Sequence, residues 1–193
     1  MPSIPTPRQK RKRFTATIAL IVLLAVPEFL VIFLQRVVHD SPLHQGDTIP
    51  LLTLRGLDSD SLSFSDLSGR KMVLFFFSVG CERCRRELSS IERLGWLFKD
   101  SLVLVAISLS DSCRTRAAMR QEKLGVITLV DDLGEARRAF GIEEVPALIL
   151  VDGDQTVRQL YFGEKPFEVL RNRLNEFAGG GYRSGNGQPQ EQN

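Results

Sequence analysis

The feature that most constrains the fold is the unbroken apolar run Met72–Phe77, which is followed after three residues by the motif Cys81-Glu82-Arg83-Cys84. A continuous apolar run of this length is typical of a strand that is buried on both faces. The residues after the motif have apolar side chains at helical spacing, and these are Leu88, Ile91, Leu94 and Phe98. The sequence therefore predicts that the two cysteines lie between an interior strand and a helix.

Further strands and helices alternate along the chain, which predicts an α/β fold with a parallel core and right-handed crossovers. Two late strands are joined by a turn at Asp152-Gly153-Asp154, so the sheet is predicted to be mixed. The other predicted strands are Leu51–Leu54 and Leu62–Phe64, which form a hairpin, and Leu102–Leu109, Val126–Val130, Ala147–Val151 and Val157–Phe162. The other predicted helices are Thr115–Leu124, Leu133–Phe140 and a final one that contains Phe167, Leu170, Leu174 and Phe177.

The stretch Phe14–Leu34 has a single charged residue, Glu28. A helix of this length reaches roughly 30 Å, the thickness of a bilayer core. Five of the six residues 8–13 are basic, so the positive-inside rule predicts a cytoplasmic N-terminus and an extracytoplasmic (periplasmic-side) location for everything after Leu34. A cleavable signal peptide is the alternative, but the apolar run is longer than in a signal peptide and no small-x-small cleavage site follows it. The role of Glu28 stays open.

Composition divides the chain into five segments. The net charge of +2 comes from the N-terminus, and the remainder is close to neutral without a basic stripe, which excludes a nucleic-acid partner. The predicted segments are a basic cytoplasmic tail (1–13), a transmembrane signal anchor (14–34), a linker (35–46), a folded domain (47–178) and a disordered polar tail (179–193).

The Cys-x-x-Cys motif at a helix start predicts a redox-active dithiol. Unpaired N–H groups and the helix dipole stabilise a thiolate there, so Cys81 is expected to be the exposed nucleophile with a low pKa. Cys84 lies one turn further on and is expected to be buried and to resolve mixed disulfides. Neighbouring positive charge comes from Arg83, Arg85 and Arg86. This chemistry needs no cofactor.

Two other interpretations of the motif are weaker. A zinc site needs four ligands, and beyond the motif the chain offers only Cys113, His39 and His44, so no metal is expected. A purely structural disulfide between Cys81 and Cys84 would close a very small loop and gain little stability.

With these residues in view, the segment from Phe75 to Glu87 resembles the active-site strand and helix of TlpA/ResA-like proteins, which are membrane-anchored thiol-disulfide oxidoreductases of the thioredoxin fold. The segment from Ala139 to Pro146 is similar to the loop that carries this family's cis-proline. Together with Gly46–Pro50 and Leu67–Arg70, the resemblance covers about residues 46–177. It implies a thioredoxin-like mixed sheet flanked by helices, and a substrate-docking role for Val145 and Pro146.

The departures from the family pattern also carry information. Gly80 stands where the family usually has Trp, and Arg83 stands where many members have Pro. Many thioredoxins bury an Asp at the position of Phe75, whereas ResA-like proteins use a Glu at the position of Glu87. The resemblance therefore implies that Glu87 moves protons to and from Cys84, and the alternative is a solvated helix charge.

The resemblance implies an enzyme that reduces disulfides in partner proteins and receives electrons from a membrane dithiol donor. Several relatives act in cytochrome c maturation, so apocytochrome c is a candidate client. Two alternatives stay open. One is a thiol peroxidase of the peroxiredoxin type, but Leu74 occupies the position at which that type normally has a Pro. The other is a non-catalytic assembly factor of the methylamine dehydrogenase maturation type. Cys113 is expected at the same sheet edge, either as a third redox thiol or as an incidental cysteine.

Overall fold

A computed structural model of the protein describes residues 42–58, 60–119 and 126–179. The predicted anchor at 14–34, the basic tail and most of the linker lie outside these residues, as does the predicted C-terminal tail apart from Gly179. Within the described ranges, no helix combines the length and the apolar character that crossing a bilayer requires.

The described residues form one sheet with helices on its two faces. The strands are β1 (Thr53–Gly56), β2 (Leu62–Ser63), β3 (Met72–Phe77), β4 (Val103–Ser108), β5 (Ile127–Val130), β6 (Ala147–Val151) and β7 (Val157–Phe162). The helices are α1 (Glu82–Phe98), α2 (Ser112–Met119), α3 (Glu135–Ala139) and α4 (Phe167–Ala178), and a 3-10 turn spans Phe64–Leu67.

The strand order is β2-β1-β5-β4-β3-β6-β7. β3 pairs in parallel with β4, and β4 with β5, while β6 runs antiparallel to β3 and to β7. β1 pairs antiparallel with β2 and with β5. The prediction of a mixed sheet with a parallel centre is confirmed, and β3 lies between β4 and β6 as an interior strand.

Alternate residues of β3 enter two separate cores, as the unbroken apolar run predicts. Phe75 and Phe77 stack against each other on the face that α1 and α4 cover. Phe76 lies on the opposite face and packs against Phe140, with 5.2 Å between the ring centroids. Burial of each such ring stabilises the fold by about 2 kcal/mol, so this strand anchors both layers.

Some elements begin or end at other residues than predicted, because local hydrogen bonds set their boundaries. The N-terminal hairpin exists, but Phe64 begins the 3-10 turn instead of extending β2. The helix that was expected to begin at Thr115 begins at Ser112, because the Asp111 carboxylate accepts the N–H of Arg114. Its expected end lies outside the described residues.

The helix that was expected over Leu133–Phe140 is shorter and spans Glu135–Ala139. Gly134 precedes it with φ +68°, a left-handed conformation that disfavours most side chains and prevents the helix from beginning earlier.

The parallel strands β3, β4 and β5 end at one edge of the sheet. Cys81 follows β3, Ser110 and Cys113 follow β4, and Asp131 follows β5. This edge is where open α/β sheets bring side chains from separate parts of the chain together.

Candidate active site

The loop after β3 delivers Cys81 to the start of α1. The Cys81 N–H donates to the Ser78 carbonyl (3.1 Å), and Cys81 then serves as the N-cap of α1 in an extended conformation. Ser110, from the loop after β4, supports this turn, because its hydroxyl oxygen accepts the N–H of Val79 (3.1 Å). Two strand ends thus fix the position from which α1 begins.

The two cysteines are free thiols that differ in exposure. Cys81 is half-buried, and Cys84 is 1% exposed within the core under α1. The Cys84 N–H donates to the Cys81 sulfur (3.2 Å), which is the helix-start interaction that favours a thiolate at Cys81. Cys81 is therefore the more exposed thiol and Cys84 the buried one, as the sequence predicts. The low pKa of Cys81 stays a prediction.

Burial raises the pKa of the Cys84 thiol to about 12, because a thiolate in the core loses its hydration. Its hydrogen bond with Cys81 and the negative charges of Cys81 and Glu87 act in the same direction, while a backbone hydrogen bond at Ser78 opposes them. Cys84 is thus a protonated thiol in the neutral range and needs a base before it can attack a disulfide.

Glu87 is buried on α1 one turn after Cys84, with 3% of its surface exposed. The alternative of a solvated helix charge is therefore wrong. Desolvation raises the pKa of its carboxyl group to about 7, helped by the charge of Glu164 and opposed by the backbone N–H and the charge of Lys165. Its Oε2 atom has no hydrogen-bond partner. A carboxyl group in this state can take or give a proton near neutral pH, while its catalytic role stays a prediction.

The segment Gly163–Pro166, here called the covering segment, connects β7 to α4 and lies over Glu87. Glu164 accepts two hydrogen bonds from Arg86 of α1, at 3.0 Å from Nε and 2.7 Å from Nη2. The sequence carries no signal for Glu164 and Lys165, because they lie 77 and 78 residues from Glu87 and no local pattern marks them.

The loop before β6 completes the site. The Val145–Pro146 peptide bond is cis, as the family resemblance implied. The Val145 carbonyl oxygen lies 3.7 Å from the Cys81 sulfur, so the predicted docking residues adjoin the predicted nucleophile. Pro146 is buried, and its carbonyl oxygen accepts the N–H of Gly163 (2.8 Å) in the covering segment.

The remaining candidate residues lie on the surface. Arg83 and Arg85 are exposed on α1, while the charge of Arg86 is paired with Glu164 and Glu82. Cys113 is exposed on α2, which begins at the sheet edge that carries Cys81, so the predicted edge is confirmed. Of the two histidines in the zinc alternative, His44 is exposed beside Asp47 and His39 lies outside the described residues.

Comparison with known proteins identifies one matching family and several relatives. Residues 45–160 match the AhpC/TSA family. The thiol-disulfide oxidoreductase ResA of Oceanobacillus iheyensis is 25% identical over 184 residues, which cover 90% of this chain and 94% of ResA. The thioredoxin-like protein YneN of Bacillus subtilis is 21% identical over 136 residues, which cover 68% of this chain and 79% of YneN.

Solved structures establish the fold. A DsbE-type thiol:disulfide interchange protein from Chlorobium tepidum superimposes with a TM-score of 0.67 at 22% identity and covers 70% of this chain and 99% of its own. StoA from Bacillus subtilis superimposes with a TM-score of 0.58 at 19% identity and covers 65% and 96%. The thioredoxin-like mixed sheet with flanking helices is thereby confirmed.

Proposed function

We propose that this thiol-disulfide oxidoreductase, which belongs to the AhpC/TSA family, reduces disulfides in partner proteins on the non-cytoplasmic side of a membrane. The observation that carries the exchange chemistry is the unequal burial of the two thiols, and the direction of electron flow rests on the similarity to ResA-type thiol-disulfide oxidoreductases. Cys81 is reachable by a partner, while Cys84 is enclosed between Cys81 and Glu87. A reductant of protein disulfides needs one thiol that attacks from the surface and one that completes the reaction from behind.

The reaction proceeds in two exchanges. The Cys81 thiolate attacks one sulfur of the client disulfide, the client S–S bond breaks, and the first client sulfur leaves and takes a proton from solvent. Glu87, as a carboxylate, then accepts the proton of Cys84, whose sulfur attacks the Cys81 sulfur. The mixed disulfide breaks, the second client sulfur leaves and is protonated, and a Cys81–Cys84 disulfide forms. The client gains two electrons and the dithiol loses them.

The docking of the client is assigned to Val145 and Pro146. The Val145 backbone lies beside the Cys81 sulfur, where an extended client segment can pair with it while its disulfide faces Cys81. Pro146 has no N–H to donate, and its carbonyl oxygen is already occupied by Gly163. The position of one client strand is therefore defined by Val145.

The cellular setting rests on the sequence. The apolar residues 14–34 after a basic tail support a single-pass anchor with the redox domain outside. Because each reaction leaves the Cys81–Cys84 pair oxidised, the proposal includes a membrane dithiol donor that returns the pair to the reduced state. The resemblance to TlpA/ResA-like proteins supports apocytochrome c as a client. A reporter enzyme fused after Phe177 is expected to be active outside the cytoplasm, and activity confined to the cytoplasm would contradict this orientation.

The decisive experiment traps the intermediate. Cys84→Ser is expected to accumulate mixed disulfides with client proteins through Cys81, while the matched control Cys81→Ser forms none. The same preparations are assayed for reduction of insulin disulfides and for turnover of peroxide. Insulin reduction that needs both cysteines supports the proposal. Peroxide turnover without insulin reduction would favour the peroxidase alternative, and stable client binding without either reaction would favour an assembly factor.

A further inference from the structure

Side-chain and backbone hydrogen bonds attach the covering segment Gly163–Pro166 to its surroundings. The Gly163 N–H donates to the Pro146 carbonyl (2.8 Å), and the Glu164 carboxylate binds Arg86 through two parallel hydrogen bonds. The Lys165 ammonium donates to the Phe162 carbonyl at the end of β7 (2.7 Å). Gly163 has φ +73°, which permits the sharp turn from the strand into the segment.

Two contacts join the segment to α1, the helix that carries Cys84 and Glu87: the Arg86–Glu164 pair and the backbone N–H of Lys165 at the Glu87 carboxylate. A bidentate guanidinium–carboxylate pair fixes both the distance and the orientation of its two partners. Arg86 directly precedes Glu87 in the chain, and the backbone N–H of Lys165, next to Glu164, faces the Glu87 carboxylate. The pair therefore lies at the boundary between solvent and the buried carboxyl group.

The charged and titratable groups around Glu87 come from each neighbouring element. Cys84 and Arg86 belong to α1, and Glu164 and Lys165 belong to the covering segment. Tyr161 of β7 packs against the same core as Cys81 and Cys84. Lys165 directs its ammonium to the Phe162 carbonyl, and Arg86 directs its guanidinium to Glu164 and Glu82. Neither cation therefore forms an ion pair with Glu87 in the described structure.

We propose that Glu164 and Arg86 are positioning residues for Glu87: their ion pair clamps the covering segment onto α1 and keeps water away from the Glu87 carboxyl group. This inference rests on the proposed function, in which Glu87 exchanges a proton with Cys84. Neither residue touches the reacting sulfur atoms. They act by setting how dry the environment of Glu87 is, and dehydration is the main reason that a buried carboxyl group keeps its proton.

A simpler electrostatic effect makes a different prediction. If the two residues acted on Glu87 only by their charges, removal of the Arg86 cation would raise the pKa of Glu87, and removal of the Glu164 anion would lower it. If the pair acts as a clamp, either removal frees the covering segment and admits water. Both substitutions then lower the pKa of Glu87. The sign of the change in the Arg86 variant distinguishes the two.

The experiment is an NMR titration of the Glu87 carboxyl carbon in the reduced protein. Arg86→Gln and Glu164→Gln are each expected to lower the pKa of Glu87 by about one unit. Arg86→Lys retains a cation and is expected to stay closer to the unsubstituted protein. The matched control is Arg173→Gln, which breaks an exposed pair with Glu176 on α4 (3.2 Å) and should leave Glu87 unchanged. A higher pKa in Arg86→Gln, or no change, would overturn the clamp.

A second readout follows the segment itself. Amide hydrogen exchange at Gly163 should become about tenfold faster in both Gln variants, because its bond to the Pro146 carbonyl opens more often. Unchanged exchange would also overturn the clamp. Failure of the proposed function looks different: if the pH profile of thiol reactivity does not respond to Glu87→Gln, the proton exchange with Cys84 is wrong, whatever the titration shows about positioning.

Discussion

Two buried polar regions lie near the sheet edge, and they differ in how well their hydrogen bonds are satisfied. The first is the Cys84–Glu87 pair under α1, where Glu87 Oε2 has no partner. The second, here called the strand-end cluster, consists of Ser108, Thr115 and Asp131. Both Asp131 oxygens accept backbone N–H groups, from Ala136 (3.1 Å) and Arg137 (2.8 Å), and the two hydroxyls bond to each other (2.7 Å).

The difference indicates what each region is for. A buried carboxylate whose oxygens are both satisfied stabilises the chain around it and has no spare capacity for chemistry. A buried carboxyl group with a free oxygen makes the fold less stable, and it is the arrangement that the proposed proton transfer from Cys84 would use. The strand-end cluster thus stabilises the loops at this edge of the sheet. The Cys84–Glu87 pair is the part of the edge that carries the proposed chemistry.

The largest expected effect concerns thiol reactivity. At pH 7 a thiol of pKa about 12 is deprotonated roughly a thousandfold less often than an ordinary cysteine, so Cys84 should be alkylated at least about a thousandfold more slowly. Alkylation of the reduced protein, followed by peptide mass spectrometry, measures this with the exposed Cys113 as the internal standard. In urea the two rates should converge. If the alkylation rates of Cys84 and Cys113 in the folded protein lie within tenfold of each other, Cys84 is not protected and the contrast drawn between the two regions is wrong.

The next effect is a pH-dependent change in stability for Glu87→Gln. The pKa of Glu87 rises from 4.5 to about 7 on folding, so its ionisation destabilises the folded state. The penalty is absent below pH 4.5, grows between pH 4.5 and 7, and reaches about 3 kcal/mol above pH 7. The variant should therefore match the unsubstituted protein at pH 4 and exceed it by up to about 3 kcal/mol at pH 8, by urea denaturation of the reduced form. If the variant and the unsubstituted protein are equally stable at both pH values, Glu87 resembles Asp131 in making no pH-dependent contribution of this kind.

The smallest effect is expected for Asp131→Ala, and it has the opposite sign. Loss of both acceptors leaves the N–H groups of Ala136 and Arg137 without partners and lowers the free energy of unfolding by about 2 kcal/mol. Asp131→Asn keeps one acceptor oxygen and should lose about half as much. Insulin reduction per folded molecule should not change in either variant. A shifted pH profile of thiol reactivity would mean that the strand-end cluster also takes part in the chemistry.

The sequence predicts the layers of this fold because the apolar patterns are local. The bounds of β3, β6 and β7 were predicted correctly, since each strand carries its own pattern of apolar residues. The short helix α3 was predicted too long, because its start depends on the conformation of Gly134 and on the acceptors of Asp131. The run Asp131-Asp132 at a strand end was an available signal for such a cap.

The candidate site was predictable to a different degree. The motif identifies Cys81 and Cys84 by spacing alone, and the cis-proline loop follows from the family resemblance. The place of Glu87 on the buried face of α1 follows from helical spacing, since Cys84 lies three positions before it and Ile91 four positions after it. Its environment is created by a segment that arrives from the other end of the domain, and tertiary contacts of that kind leave no local pattern.

The retained proton of Cys84 determines how the reduction potential of the dithiol responds to acidity. Each time the disulfide gains two electrons, Cys84 also binds a proton at any pH well below 12. The proton that Cys84 takes up with the two electrons contributes a fall in the potential of about 30 mV for each unit of pH. The reduced protein is therefore a stronger electron donor in an alkaline medium and a weaker one in an acidic medium.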